Sequence, residues 1–464
     1  MEDERPRPSR GANLSSPRCA HPLALIPQHF SQPNTDGEDC PAPCYDGRDS
    51  ETTRHQNGGT TLTKILQQRI SRITAATAVL AFAGLLVLFA TQPAPAQTLK
   101  ALYSFTNAAD GGDPFPAVIR DAAGNLYGTT DYAGKDNAGV VFEVSPPKQK
   151  GGKWTETVLY TFCSVSGCTD GQYPYAPLVR DAAGNLYGTT QYGGTSNLGV
   201  VFKLSATGTE TVLHSFTGGA DGVYPYSGLF RDSAGNLYGT TESGGTSNLG
   251  VVFKMSKAGK ETVLHSFTGA ANDGGEPTSS GFYMDAKSNL YSVASHGGTS
   301  GEGVLYKLSP RGKLTVLHSF TAGTTDGCYP YGTPAVDTLG NMYGATGGCG
   351  TSNMGLVWKV SKNGTETVLH NFAGASDGQS PLAGVIVDAA GNIYGSTNTG
   401  GASGFGTAFE LDKNGKLTLL HTFTGGTDGK YLNGGLILDP KGRIYGTTIN
   451  GGTGGYGTVW RITK

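Results

Sequence analysis

The residues able to do chemistry in this chain come in sevens. An Asp-Gly dipeptide recurs at Asp110, Asp170, Asp221, Asp273, Asp326, Asp377 and Asp428. A ring of carboxylates would offer the hard oxygen ligands that suit calcium. One carboxylate per copy, without a dense D-x-D-x-D run, is a thin metal site, so the pattern favours seven Asx turns and no metal is assigned. Tyr-Pro-Tyr follows the Asp-Gly at 173–175, 224–226 and 329–331, with Phe115-Pro116 in the first copy. Such aromatics can stack on the flat faces of sugars, or wedge between neighbouring units. Tyr175, Tyr226, Tyr331, Asp170, Asp221 and Asp326 are therefore the ligand-binding candidates.

Five histidines, His214, His265, His318, His370 and His421, share one repeat position that two earlier copies fill with Tyr103 and Tyr160. Tyr for His keeps a flat ring and a polar tip, which points to packing rather than to a metal. The fourth copy departs most, with Glu276, His296 and Glu302 where its siblings carry other residues. An acid, imidazole, acid set can move protons, although loop drift explains the same residues. No G-x-S-x-G elbow, H-E-x-x-H pair, phosphate-cradling loop or C-x-x-C pair stands in a supporting context, so no catalytic residue and no cofactor are expected. Of seven cysteines, Cys19, Cys40 and Cys44 precede the repeats, and Cys163, Cys168, Cys328 and Cys349 lie within them. Cys163 and Cys168 share one loop, and Cys328 and Cys349 fall in two loops of one copy, so pairs 163–168 and 328–349 are expected. Each would stabilise by about 2–4 kcal/mol at most.

The elements that must position these residues repeat with them. A phrase of the LYSF or LHSF type, Leu then Tyr or His, a polar residue and Phe, starts at Leu102, Leu159, Leu213, Leu264, Leu317, Leu369 and Leu420, and a period of this length that is rich in strand formers and glycine marks a solenoid or a propeller. Between Tyr224 and Thr268 the chain reads SGLFRD, a turn, NLYGTT, a loop, VVFKMS, a turn and ETVLHSFT. Each run is short, β-prone and bounded by Gly, Asn, Asp or Ser, which makes four antiparallel strands, A to D. Units of this size are propeller blades. The last copy ends after three strands, while Thr98–Phe105 is a strand D with no A to C before it. All-β architecture is thus expected: a seven-bladed β-propeller closed by pairing of the N-terminal strand into the C-terminal blade, which leaves no open edge. The D to A and B to C loops then gather on one face.

Composition agrees. Glycine supplies 73 of 464 residues, and only 15% of residues are charged, against about 25% in an ordinary domain. A net charge of -2 gives no basic surface for nucleic acid. Lys64, Arg69 and Arg72 precede an apolar run from Ile73 to Ala90 and a small-residue site at 94–96, so 61–96 reads as a signal peptide cut after Ala96, with a retained membrane anchor as the alternative. Residues 1–60 are polar and aperiodic; they read as a disordered or untranslated leader, with Leu62 as a candidate start. Residues 97–464 form the repeat domain, which carries no membrane span once the leader is removed.

In D-x-x-G-N-L-Y the repeat resembles glycine-rich propellers such as the NHL type. In the full phrase G-A-D-G-x-Y-P-Y, D-x-A-G-N-L-Y-G-T-T, G-G-T-S-N-L-G-V-V-F-K-L-S and E-T-V-L-H-S-F it resembles the bacterial GloVer tandem repeat across 98–464. That resemblance implies export, with a C-terminal anchor that varies between members; this chain ends at Lys464 without an apolar tail. It implies no activity. The expectation is a monomeric, secreted, periplasmic or cell-surface protein acting as a binding or structural module, its partner a glycan or another envelope protein. The alternative is a polysaccharide lyase or hydrolase.

Overall fold

The computed structural model describes residues 97–277 and 281–464. The leader, the signal peptide, its cleavage site and the first three cysteines lie outside the described residues. Among the described residues no helix is long and apolar enough to cross a membrane.

Seven four-stranded antiparallel sheets follow one another along the chain. In blade 3, strand A is Phe230–Arg231, B is Leu237–Thr241, C is Val251–Met255 and D is Glu261–Ser266. The seventh sheet takes Ile437–Leu438, Ile444–Thr448 and Thr458–Thr463 from one end of the domain and Thr98–Ser104 from the other. Thr98 pairs with Thr463 and Ala101 with Trp460. The ring therefore closes by hydrogen bonding, and the molecule is a seven-bladed β-propeller.

Strand A is shorter than the six-residue run SGLFRD suggests. Only Phe230 and Arg231 join the ladder; upstream of them the Thr240 N–H donates to the Ser227 hydroxyl at 2.9 Å instead of to a backbone carbonyl. Blade 5 is the exception, with A spanning Gly327–Val336 and B spanning Met342–Cys349.

The core repeats as faithfully as the sheets. Each strand-D Phe sits edge-on or tilted against the strand-C aromatic of the next blade: Phe105 on Phe142, Phe216 on Phe253 and Phe423 on Trp460, with ring centres 5.0–5.4 Å apart. All six rings are completely buried. The glycine of Y-G-T-T in strand B makes room for the strand-C ring. Gly239 is the cross-strand partner of Phe253, and a Cβ there would come within 2.5 Å of the ring.

At the A to B turn, Asp232 accepts from the Asn236 backbone N–H (2.8 Å), the Asn236 side chain (2.7 Å) and the Tyr238 hydroxyl (3.2 Å). The same arrangement holds at Asp181, Asp285, Asp337 and Asp388. Burial pushes these carboxyls up, but the hydrogen bonds outweigh it and hold them below the usual range. Glu156, Glu210, Glu261 and Glu366, in strand D of four blades, behave oppositely. Burial, then the Asp of a neighbouring Asp-Gly loop, pushes each up to about 7.

Two outcomes follow from this packing. Gly239→Val should lower the unfolding free energy by about 1–3 kcal/mol in a denaturant titration, because the added carbons overpack against Phe253; an unchanged midpoint would mean that the glycine makes no room. Stability should peak at mildly acid pH. The depressed turn aspartates contribute stability that is lost as pH falls through their folded pKa. The raised glutamates contribute stability that is lost as pH rises from the unfolded glutamate value, about 4.3, toward 7. Unfolding measured from pH 3 to 9 should show both limbs, and Glu261→Gln should flatten the upper one.

Candidate functional site

The Asp-Gly aspartates do not converge. Each is held within its own loop, where Asp221 accepts from the backbone N–H (2.9 Å) and hydroxyl (3.0 Å) of Thr217, and Asp428 likewise from Thr424. Each also faces the strand-D ring that precedes it. Tyr103 donates to Asp110 at 3.0 Å and Tyr160 to Asp170 at 2.8 Å. His265, His370 and His421 bring Nε2 to 2.9–3.0 Å from Asp273, Asp377 and Asp428, and His214 and His318 lie 3.5 and 3.4 Å from Asp221 and Asp326. Packing against the strand-D Phe accounts for one face of each histidine. The bond to the loop Asp is the part that residue-type reasoning missed. Its signal was present, since the ring and the carboxylate lie seven or eight residues apart in five copies. Among the described residues no three His, Cys, Asp or Glu side chains gather as a metal set.

The aromatics do converge. The residue before the proline takes positive φ in every described Pro-containing copy, 59° at Tyr173, 56° at Tyr224 and 48° at Glu276. This left-handed turn is strained for a side-chain-bearing residue before proline. It sets the chain on its course toward the axis at the point where strand A begins. There a cavity of about 210 Å³ opens in the central channel, lined from six blades by Phe115, Tyr175, Tyr226, Thr333, Leu382 and Asn433 among others. Tyr175 stacks on Tyr226, centres 4.8 Å apart and planes 18° apart, while the Phe115 ring meets Tyr175 edge-on at 5.2 Å. Tyr175 is only 7% exposed, and Tyr226, Tyr331 and Phe115 are half-buried. In two motifs the first tyrosine acts as a wedge: Tyr173 packs between Tyr132 and Tyr192, and Tyr224 against Tyr192; the exposed Tyr329 meets His296 instead. In these two motifs the first tyrosine packs between rings of neighbouring loops and the second lines the cavity.

One position just after Y-G-T-T had escaped notice. It holds Asp131, Gln191, Glu242, Ser295, Gly347, Asn398 and Ile449 in the seven copies. Its backbone N–H bonds the carbonyl of the pre-proline residue, as from Asp131 to Asp113 at 3.1 Å and Glu242 to Tyr224 at 3.0 Å, which fixes it beside the turn that leads into strand A. A position that differs in all seven copies, after a phrase that is Y-G-T-T in four, was the available signal. Asp131 is 3% exposed, and burial, with the nearby charge of Asp113, drives its carboxyl well up although the Tyr175 hydroxyl bonds it. Glu242 is raised by burial and by Glu276, and burial lifts Asp113 to about 6 against the hydrogen bond from Asn450.

Of the fourth-copy residues, Glu276 Oε2 lies 3.1 Å from His296 Nδ1, and the Ser295 hydroxyl lies 3.1 Å from the same nitrogen. Glu302 contributes through its backbone carbonyl, which accepts from the Tyr329 N–H at 2.9 Å. Cys163 is bonded to Cys168 and Cys328 to Cys349, with Cα atoms 4.0 and 5.5 Å apart.

Comparison with solved structures adds the fold. The extracellular domain of a one-component system from B. thetaiotaomicron aligns at TM-score 0.50 and 10% identity, over 78% of this chain and 40% of that one, so the chain spans well under two thirds of that protein. A structure described as a 6-phosphogluconolactonase from Bacteroides uniformis aligns at TM-score 0.44 and 13% identity, over 69% of this chain and 86% of that one. No curated protein matches the sequence. The model of the Gloeobacter/Verrucomicrobia repeat matches residues 83–283 and again 278–464. The chain belongs to the Gloeobacter/Verrucomicrobia repeat family.

Proposed function

We propose that this protein works outside the cytoplasm as a binding module that takes a carbohydrate at the channel mouth. The stacked Tyr175–Tyr226 pair, with Phe115 beside it on the wall of the cavity, carries this reading. A pyranose offers an apolar C–H face to an aromatic ring and hydroxyls to its surroundings, and a concave, aromatic-lined pocket with a few polar groups suits such a ligand. Two disulfides suit an oxidising, extracytoplasmic setting. The propeller supplies a rigid mount, so binding needs little ordering of the protein.

A glycan array followed by isothermal titration calorimetry tests this reading. One carbohydrate class should bind, and Tyr226→Ala should weaken it about tenfold, or about 1.4 kcal/mol. Leu339→Ala, at an A to B turn on the opposite face, should leave binding unchanged. Retention of full affinity by a folded Tyr226→Ala protein, or no binding across the array, would overturn it.

A further inference from the structure

The A to B and C to D turns gather on the other face of the propeller, away from the channel mouth. Those turns carry 13 Lys and Arg against 8 Asp, with no Glu. Exposure separates the two signs further. Twelve of the 13 cations are exposed and none of the aspartates is. Each aspartate is turned into its own hairpin, where it accepts backbone N–H groups, as Asp285 does from Lys287 and Asn289 at 2.9 Å and Asp412 from Lys416 at 2.9 Å. Among the described residues the ion pairs of lysine and arginine are Arg443 with Asp439 and Lys464 with Glu410, and neither involves one of the twelve. A net charge of -2 conceals this separation of sign.

The placement of the cations describes a plane. Ten of the twelve stand in C to D turns, between the two outer strands of a blade, and five of the six such turns contribute; 205–209 in blade 2 does not. Apart from the nine-residue turn of blade 1, every turn on this face is five residues long, so the tips lie level. Eleven of the twelve are lysines, Arg311 being the exception. A lysine presents a compact point charge without the fork that fits arginine to one carboxylate or phosphate, so this rim reads charge density rather than the shape of a single group. Leu339, 74% exposed in the A to B turn of blade 5, adds an apolar side chain to the same face.

We infer that this face docks flat on a lipid bilayer rich in anionic phospholipid, its rim lysines at the headgroup phosphates and Leu339 in the boundary between headgroups and acyl chains. Lysines close to an anionic leaflet are each drawn to it, and an apolar side chain inserted at the interface adds to the hold. A flat anionic sheet meets the whole rim at once, whereas a linear polyanion follows one arc of it. A second copy is a poorer match: among the described residues Asp136 is the one exposed acid, and a single carboxylate cannot answer twelve cations. Docking by this face leaves the channel mouth open on the other. The inference does not depend on the carbohydrate reading.

The experiment is co-sedimentation of residues 97–464, whose two ends complete one sheet, with lipid vesicles at neutral pH. Vesicles of phosphatidylcholine with about 30% phosphatidylglycerol should bind at least about tenfold more tightly than phosphatidylcholine alone, and salt at about 0.5 M should remove the difference. Lys257→Gln with Lys260→Gln and Lys313→Gln, all at exposed turn positions, should weaken binding to the anionic vesicles at least about tenfold. Leu339→Ala should weaken it about threefold and keep the preference for anionic lipid. Lys135→Gln, exposed on the opposite face, should change nothing. Equal binding to both kinds of vesicle, or equal losses from Lys135→Gln and the triple variant, would overturn the inference. So would tighter binding to soluble polygalacturonate than to anionic vesicles at matched negative charge, or self-association without lipid that the triple variant abolishes.

Discussion

One contact, made seven times, organises this molecule: a phenylalanine at the end of strand D meets the aromatic ring in strand C of the following blade. Phe162 meets Phe202, Phe267 meets Tyr306, Phe320 meets Trp358 and Phe372 meets Phe409, alongside the three pairs already described. Each ring is large enough to fill the wedge between two twisted sheets, and each has space only because its cross-strand neighbour is a glycine or, opposite Tyr306, Ser292. Apolar burial on this scale is the main favourable term for a chain so poor in charge. Phe105 delivers this contact from the N-terminal strand, so the boundary between blade 7 and blade 1 is packed like any other.

That economy of repetition decides where function can sit. Where the seven copies agree, the side chains are engaged in holding the fold: Asp of D-x-x-G-N in its turn, Asp of Asp-Gly against its histidine or tyrosine, Phe in its wedge. Where they disagree, the backbone is still fixed by its neighbours but the side chain is free to differ. The position after the loop proline lines the channel in five copies, and there the ring loses its symmetry. Phe115, Tyr175 and Tyr226 occupy one side; Leu382 and Asn433, the latter hydrogen-bonded to Asn398, occupy the other. An asymmetric lining on a symmetric frame is what a specific ligand requires.

The frame could be read from residues alone because its causes are local. Period-two alternation, Asp-x-x-Gly turns and the complementary chain ends state the sheet order and the closure without reference to distant contacts. Cys163 with Cys168 and Cys328 with Cys349 were legible for the same reason, since the first pair shares one loop and topology places the second in two adjoining loops. What escaped depends on contacts between side chains. Strand A keeps only two residues in six of the seven blades, although its apolar run is longer, and no periodicity reports that. His265 joins Asp273 only once the D to A loop has folded back on its own strand. Asp131 looks like an ordinary loop acid until burial and Tyr175 single it out.

Hydrogen exchange of the folded protein, read strand by strand, tests ring closure most directly. Backbone amides of Thr98–Ser104 should exchange as slowly as those of Thr155–Thr161, the equivalent outer strand of the first blade, since both pair antiparallel with a buried strand C. Rapid exchange throughout Thr98–Ser104, with Thr155–Thr161 protected, would show that the ends do not join and would contradict a closed seven-bladed ring.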